Sequence, residues 1–350
     1  MINYTLLSRP NAFFLCANSG FGFVSHVEEA LADCTRLYVL KGGPGTGKSR
    51  FMEEIASAAE SRGHKVSRIL CSSDPSSLDG VHIEDLGIGL VDGTAPHVVE
   101  PTLPGAREQL LDPGAFWDQK ILFETQKEIN SSNLQKKEAY RSALLLIESV
   151  KNAEFCKQSL LKDRVDRQKA YRLLKKHLPK TAPVPGKIRP RFLSAIGMKG
   201  AVTLDGYFEK AERILTLSPC FGAELLILQH LLNILSEKKQ SLLLFKDPVT
   251  LQPEALFLEQ EGLLFRCGKP TELPQERVVD CKKAIVPLSL PEKRLLQSLE
   301  KQQQSLMESA FFFFDEMKKQ HFALEELYGK AMDFSALEAF KKEQTERILK

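Results

Sequence analysis

The stretch "RLYVLKGGPGTGKSRFMEEI" (36–55) decides how the chain is read. Four apolar residues, Leu37 to Leu40, make a short buried strand, and the glycines that follow break it. From Lys48 to Arg62 the apolar residues Phe51, Ile55 and Ala59 recur at helical spacing, and Gly63 stops the run. A strand, a glycine loop and a helix in that order match G-x-x-x-x-G-K-[ST] over Gly42, Gly43, Pro44, Gly45, Thr46, Gly47, Lys48 and Ser49. Glycine leaves room for backbone N–H groups to turn inward onto an anion, and the helix start adds its positive end. Lys48 is placed to reach β- and γ-phosphates, and the Ser49 hydroxyl to ligate Mg²⁺.

Further along, "KVSRILC" (65–71) and "LGIGLVD" (86–92) read as strands, separated by a loop rich in Ser, Asp and Gly. The rhythm is that of a parallel α/β sheet. Asp92 closes the second of these strands, where a metal-holding carboxylate is expected, though an Asp before Gly also starts turns. Asp74, in "DPSSL", is either a turn residue or a catalytic base, and Asp79 is a second candidate base. His97, in "DGTAPH", is placed to sense the γ-phosphate or position water, or else packs a loop.

A second copy follows. "RILTLSPCFGAELLILQHLL" (213–232) aligns with the opening stretch at an offset of 177 (213 − 36), which pairs Gly45 with Gly222. At that offset Ala223 stands for Thr46, Glu224 for Gly47, Leu225 for Lys48 and Leu226 for Ser49. "DPVTL" at Asp247 answers "DPSSL" at Asp74, Cys267 answers Asp92, and "AFFFFD" (310–315) answers "ALLLIE" (143–148). The chain is therefore expected to be two tandem α/β repeats with parallel sheets. An active unit covers 1–180, with a helical hairpin at about 116–178. A linker at 181–190 follows Pro179 and holds Pro183, Pro185 and Pro190. A chemically emptied unit covers 191–350, with helices at about 290–350.

With 43% apolar and 27% charged residues, the 350-residue chain has the composition of a soluble globular protein. Its seven cysteines include no CxxC pair, which argues against zinc sites or a disulfide framework and for a reducing cytoplasm. No signal peptide and no membrane span is read. Lys and Arg number 13 against 3 Asp and Glu between 151 and 191. That stretch is a solvated helix face, a contact for a polyanion or protein partner, or a lid whose candidates are Arg164, Arg167 and Arg172.

Three segments, "LKGGPGTGKS" (40–49), "CSSDPSSLDG" (71–80) and "VDGTAPHVVEP" (91–101), resemble in that order an uncharacterised bacterial family of ATPases with two P-loop domains per chain. The resemblance spans almost the whole length. It implies tandem P-loop NTPase folds, ATP and Mg²⁺ as cofactors, a phosphate loop at Gly42 to Ser49, and functional positions at Asp92 and His97. The family's second domain carries its own phosphate loop, and this chain departs from it at Pro219 to Leu226. The expectation is a slow ATPase with one live site. A small-molecule kinase and a nucleotide-dependent interaction module are the alternatives, and no N-K-x-D sequence for guanine is present.

Overall fold

A computed structural model describes every residue except Met1, Asn3, His97 and Thr181. The first repeat builds a six-stranded sheet from β1 (Ala12–Phe14), β2 (Arg36–Leu40), β3 (Val66–Leu70), β4 (Leu78–Ile83), β5 (Ile88–Asp92) and β6 (Glu108–Leu111), in the spatial order β1-β3-β4-β5-β2-β6. β2 lies inside the sheet with Leu37 to Leu40 all buried, as an uninterrupted apolar run requires. Helix α1 (Lys48–Ser61) follows it and buries Phe51, Met52, Ile55, Ala56 and Ala59 along one stripe.

The sheet is mixed, where a parallel one was expected. β4 runs antiparallel to both β3 and β5, and it arises from the segment read as a loop. Its sequence, "LDGVHI", carries Asp79 and Gly80 where a strand pattern calls for apolar residues. Gly80 is required there, because a Cβ would stand 2.7 Å from the Leu90 carbonyl. Beyond β6 the segment expected as a hairpin holds a six-residue helix (Gln119–Glu124), one 36-residue helix, α2 (Gln126–Leu161), and a short helix, α3 (Arg167–Lys175).

The second repeat forms β7 (Ile188–Arg191), β8 (Arg213–Leu217), α4 (Ala223–Glu237), β9 (Leu242–Lys246), β10 (Pro253–Leu258), β11 (Leu263–Cys267) and β12 (Glu276–Val279), then helices α5 (Leu290–Lys330) and α6 (Phe334–Ile348). Its sheet order, β7-β9-β10-β11-β8-β12, reproduces the first, as do the strand directions. Even the register shift recurs, at Ile69/Leu70 and at Phe245/Lys246.

The two repeats exchange their helices. α2 and α5 run antiparallel: Gln303 donates to the Val150 carbonyl at 3.2 Å, while further along Lys136 meets His321. Buried positions on α5, Leu296, Gln303, Met307, Ala310, Phe314, Met317 and Leu324, fall at the three- and four-residue steps of a coiled-coil seam. In the four-phenylalanine run Phe314 is buried and Phe312 is exposed, so the run serves helix packing. Having crossed, each chain end settles on the opposite sheet. Leu161, Ala170 and Leu174 join Ile227 and Leu231 in the second repeat's core, and Ile348 and Leu349 join Phe51 and Ile55 in the first. Matching backbone bonds fix both arms, Asp166 N–H to Ala284 O at 2.8 Å and Asp333 N–H to Phe116 O at 3.0 Å. Among the described residues no helix is long and apolar enough to cross a membrane.

Candidate functional site

The first glycine loop starts where β2 ends. Gly42, Gly45 and Gly47 take φ of 143°, 72° and 69°, values that L side chains resist. A Cβ at Gly45 would also stand 2.9 Å from the Glu325 carbonyl. Thr46, almost wholly buried, donates from Oγ1 to the Gly43 carbonyl at 2.9 Å and closes the loop. Gly47 then caps α1 with no side-chain bond, which leaves the first N–H groups of the helix facing the loop.

Register brings the charged pair together. β2 and β5 are parallel with Leu40 beside Asp92, so that carboxylate ends its strand at the loop. Lys48 Nζ lies 3.6 Å from Asp92 Oδ2 and donates to the Gly42 and Gly43 carbonyls, each at 2.9 Å. Asp92 Oδ1 accepts from the Thr94 N–H and hydroxyl at 2.9 and 2.6 Å. One oxygen thus starts the turn while the other faces the lysine. Ser49 Oγ accepts the Leu78 N–H at 2.9 Å, tying α1 to β4.

The other sequence candidates fall elsewhere. Asp74 Oδ1 is engaged in its own turn by the Ser76 N–H and hydroxyl at 3.1 and 2.6 Å. Asp79 is buried on β4, and its charge adds to the burial that raises the Cys16 and Cys71 thiols. His97 lies outside the described residues.

Much of the loop's cover comes from the other repeat, which local sequence gave no sign of. Gly43 faces Trp117, whose ring packs against Tyr328 with centroids 4.9 Å apart and planes tilted by 34°. Lys341 and Leu337 on α6 lie over Gly47. Lys136 on α2 sits 3.2 Å from His321 Nδ1. Burial pushes the Lys136 ammonium below its ordinary range and Lys48 pushes the same way, while Cys71 and Glu325 oppose. The 167-residue offset between the helical segments shows that they correspond and carries no sign that they are exchanged.

In the second repeat the loop is two residues shorter, and this corrects the sequence pairing. Gly222, at φ 98°, caps α4 as Gly47 caps α1. Ala223 therefore takes the place of Lys48 and Glu224 that of Ser49, while Cys267 replaces Asp92 as expected. Glu224 is buried and accepts the Cys220 and Gly222 N–H groups at 2.7 and 3.1 Å, so its own carboxyl occupies the amides an anion would use. Burial raises its pKa, and hydrogen bonds from its own backbone N–H and that of Cys220 pull it back. The aspartates of the two Asp-Pro pairs do not correspond either. Asp247 follows β9 directly, at the step that Cys71 holds after β3.

A cavity of about 360 Å³ opens beside this second loop, lined among others by Tyr4, Glu154, Glu224, Asp247, Glu254 and Arg266. Among the described residues Tyr4 Oη and Glu254 Oε2 have no hydrogen-bond partner there. Burial, assisted by the Asp247 charge, lifts the Glu254 carboxyl to about 8.

Part of the basic stretch is consumed internally. Lys151 donates to the Gly20 carbonyl at 2.6 Å, Lys157 pairs with Glu154 at 2.8 Å, and Arg164 with Glu292 at 2.5 Å. Arg191 stacks over the Phe13 ring. All seven cysteines are free thiols. Among the described residues no three His, Cys, Asp or Glu side chains form a metal cluster. No family model matches the chain, and no curated protein or solved structure matches it either.

Proposed function

We propose that this chain binds ATP in the Gly42–Ser49 loop and hydrolyses it slowly with Mg²⁺, its second repeat serving as a scaffold without nucleotide chemistry. One observation carries the reading. Lys48 and Asp92 meet at 3.6 Å on the loop of the first repeat, and their structural counterparts in the second are Ala223 and Cys267. Both groups are absent from one repeat together, as is expected of two parts of a single metal–nucleotide site.

In this account the repeats are P-loop NTPase-like and the chain is akin to the tandem P-loop ATPases it resembles. Loop N–H groups and the start of α1 hold the phosphates. Lys48 exchanges its bonds to the Gly42 and Gly43 carbonyls for phosphate oxygens, a neutral acceptor for a charged one. Ser49 Oγ and Asp92 Oδ2 would hold Mg²⁺, which needs only one or two protein ligands when phosphates and water complete its shell. Bound there, the ion would supply charge neutralisation to the phosphates. The free thiols suit a cytoplasmic setting.

A second reading, a nucleotide-dependent interaction module, is favoured by the helices of one repeat lying over the loop of the other. The kinase reading has weaker support, because Asp74 is committed to its own turn. Phosphate release by wild type, Lys48→Ala and Asp92→Ala separates the readings. The ATPase account expects slow turnover lost in both variants; ATP bound without turnover supports the module, and a phosphorylated metabolite supports the kinase.

A further inference from the structure

We infer that the second repeat lends the first a phosphate-binding side chain, Lys341 on the exchanged helix α6, which would hold the nucleotide's phosphates together with Lys48. The inference rests on the ATP reading of the Gly42–Ser49 loop.

Position is the first argument. Lys341 is 3% exposed, and its Nζ lies 3.4 Å from where a Cβ on Gly47 would stand. That is the amino-terminal end of α1, where unpaired N–H groups carry partial positive charge. A buried ammonium is repelled there unless an anion lies between. One of its three N–H groups goes to Glu338 at 2.8 Å, a carboxylate whose side chain is 47% exposed. Two donors remain for a further acceptor. Lys48, the residue after Gly47, adds charge of the same sign.

The internal symmetry supplies the second argument. Helices α3 and α6 begin at equivalent aspartate caps, Asp166 and Asp333, an offset of 167 (333 − 166). By that offset the counterpart of Lys341 is Leu174, buried in the core of the second repeat, and that of Lys136 is Gln303. The equivalent step of the equivalent helix therefore holds a leucine in the repeat whose loop has lost its lysine. It carries an ammonium only where the loop keeps one. The Glu338 pair uses one donor of that ammonium, and a phosphate beneath α6 would use the others.

Calorimetric titration of the full chain with MgATP tests this, alongside thermal melts without nucleotide. Lys341→Leu, which installs the twin residue, is expected to weaken binding by about tenfold or more, the effect of one charge-assisted hydrogen bond. Its melting temperature is expected to equal or exceed that of wild type. Lys341→Arg, which keeps the charge, is expected to stay within about threefold. Should the leucine variant not fold, Lys341→Met, nearest in shape, carries the test. A Lys341→Leu or Lys341→Met chain that binds MgATP as tightly as wild type overturns the role of Lys341 and leaves the ATP site standing. A wild type that binds no nucleotide overturns both.

Discussion

Phe14 and Phe192 exchange both of their backbone hydrogen bonds, Phe14 N–H to Phe192 O at 3.0 Å and Phe192 N–H to Phe14 O at 2.9 Å. They stand at the same step of the two repeats, just before the hairpin strands that start at Cys16 and Ser194, so the pair marks a local two-fold axis. Around it Gly20 N–H reaches Val249 O at 3.0 Å and Met198 N–H reaches Ser73 O at 2.8 Å, an equivalent pair. The chain is built like a two-fold dimer with its subunits joined covalently.

Exchange of α3 and α6 across that axis makes the halves interdependent. Ile348 lies 1% exposed in the core beneath α1, although it belongs to the last helix of the second repeat. Ile348→Ala should cost about 2–4 kcal/mol. Urea unfolding should still show one transition at a lower midpoint, whether followed by far-ultraviolet circular dichroism or by tryptophan emission. Two separated transitions would mean that the repeats fold as independent units.

Trp117 is the only tryptophan in the sequence, and it lies between Gly43 and Tyr328 with its indole N–H unpartnered. A nucleotide entering the loop must alter its surroundings. Its emission should therefore change saturably with MgATP in wild type and stay flat in Lys48→Ala.

Glu224 supplies the second loop with its own internal acceptor. Glu224→Ala leaves the Cys220 and Gly222 N–H groups unpaired in a buried site, at a cost of about 1–3 kcal/mol by chemical denaturation. ATP affinity should not move. Glu224→Ser, which restores the residue at the position of Ser49, should gain no second nucleotide, because Ala223 still stands where a lysine is needed.

The chain also carries a pH-dependent stability element. Glu254 is raised from the ordinary glutamate value of 4.5 to about 8, first by burial and then by Asp247. Between those values the folded chain keeps a proton that the unfolded chain has released. Its contribution is therefore complete below about pH 4.5 and is lost as pH rises through about 8. Glu254→Gln should flatten the decline in melting temperature between pH 5 and 8, with its largest gain over wild type at the upper end. Parallel curves for the two proteins would remove Glu254 as the cause.

The strand–loop–helix of the first repeat was legible because glycine punctuation and apolar runs are local signals, and β2, α1 and β5 lie where those signals put them. The repeat was legible too, since it needs only order. Three things were not. β4 hides behind Asp79 and Gly80, a buried carboxylate and a close backbone approach. The two-residue shortening before Gly222 is invisible until the cap geometry shows where α4 begins. The helix exchange leaves no local trace, because whether α6 caps its own sheet or its twin's depends on the turns at Asp166 and Asp333, so Lys341 and Tyr328 could not be placed beside Gly47 and Gly43 from sequence.

The central claim is a single live nucleotide pocket whose cation is Lys48. Its most direct test is the stoichiometry of MgATP binding by calorimetry in wild type and Lys48→Ala. One nucleotide per chain is predicted, with affinity falling by on the order of 100-fold or more in the variant. Two nucleotides per chain, or one that survives Lys48→Ala undiminished, would contradict it.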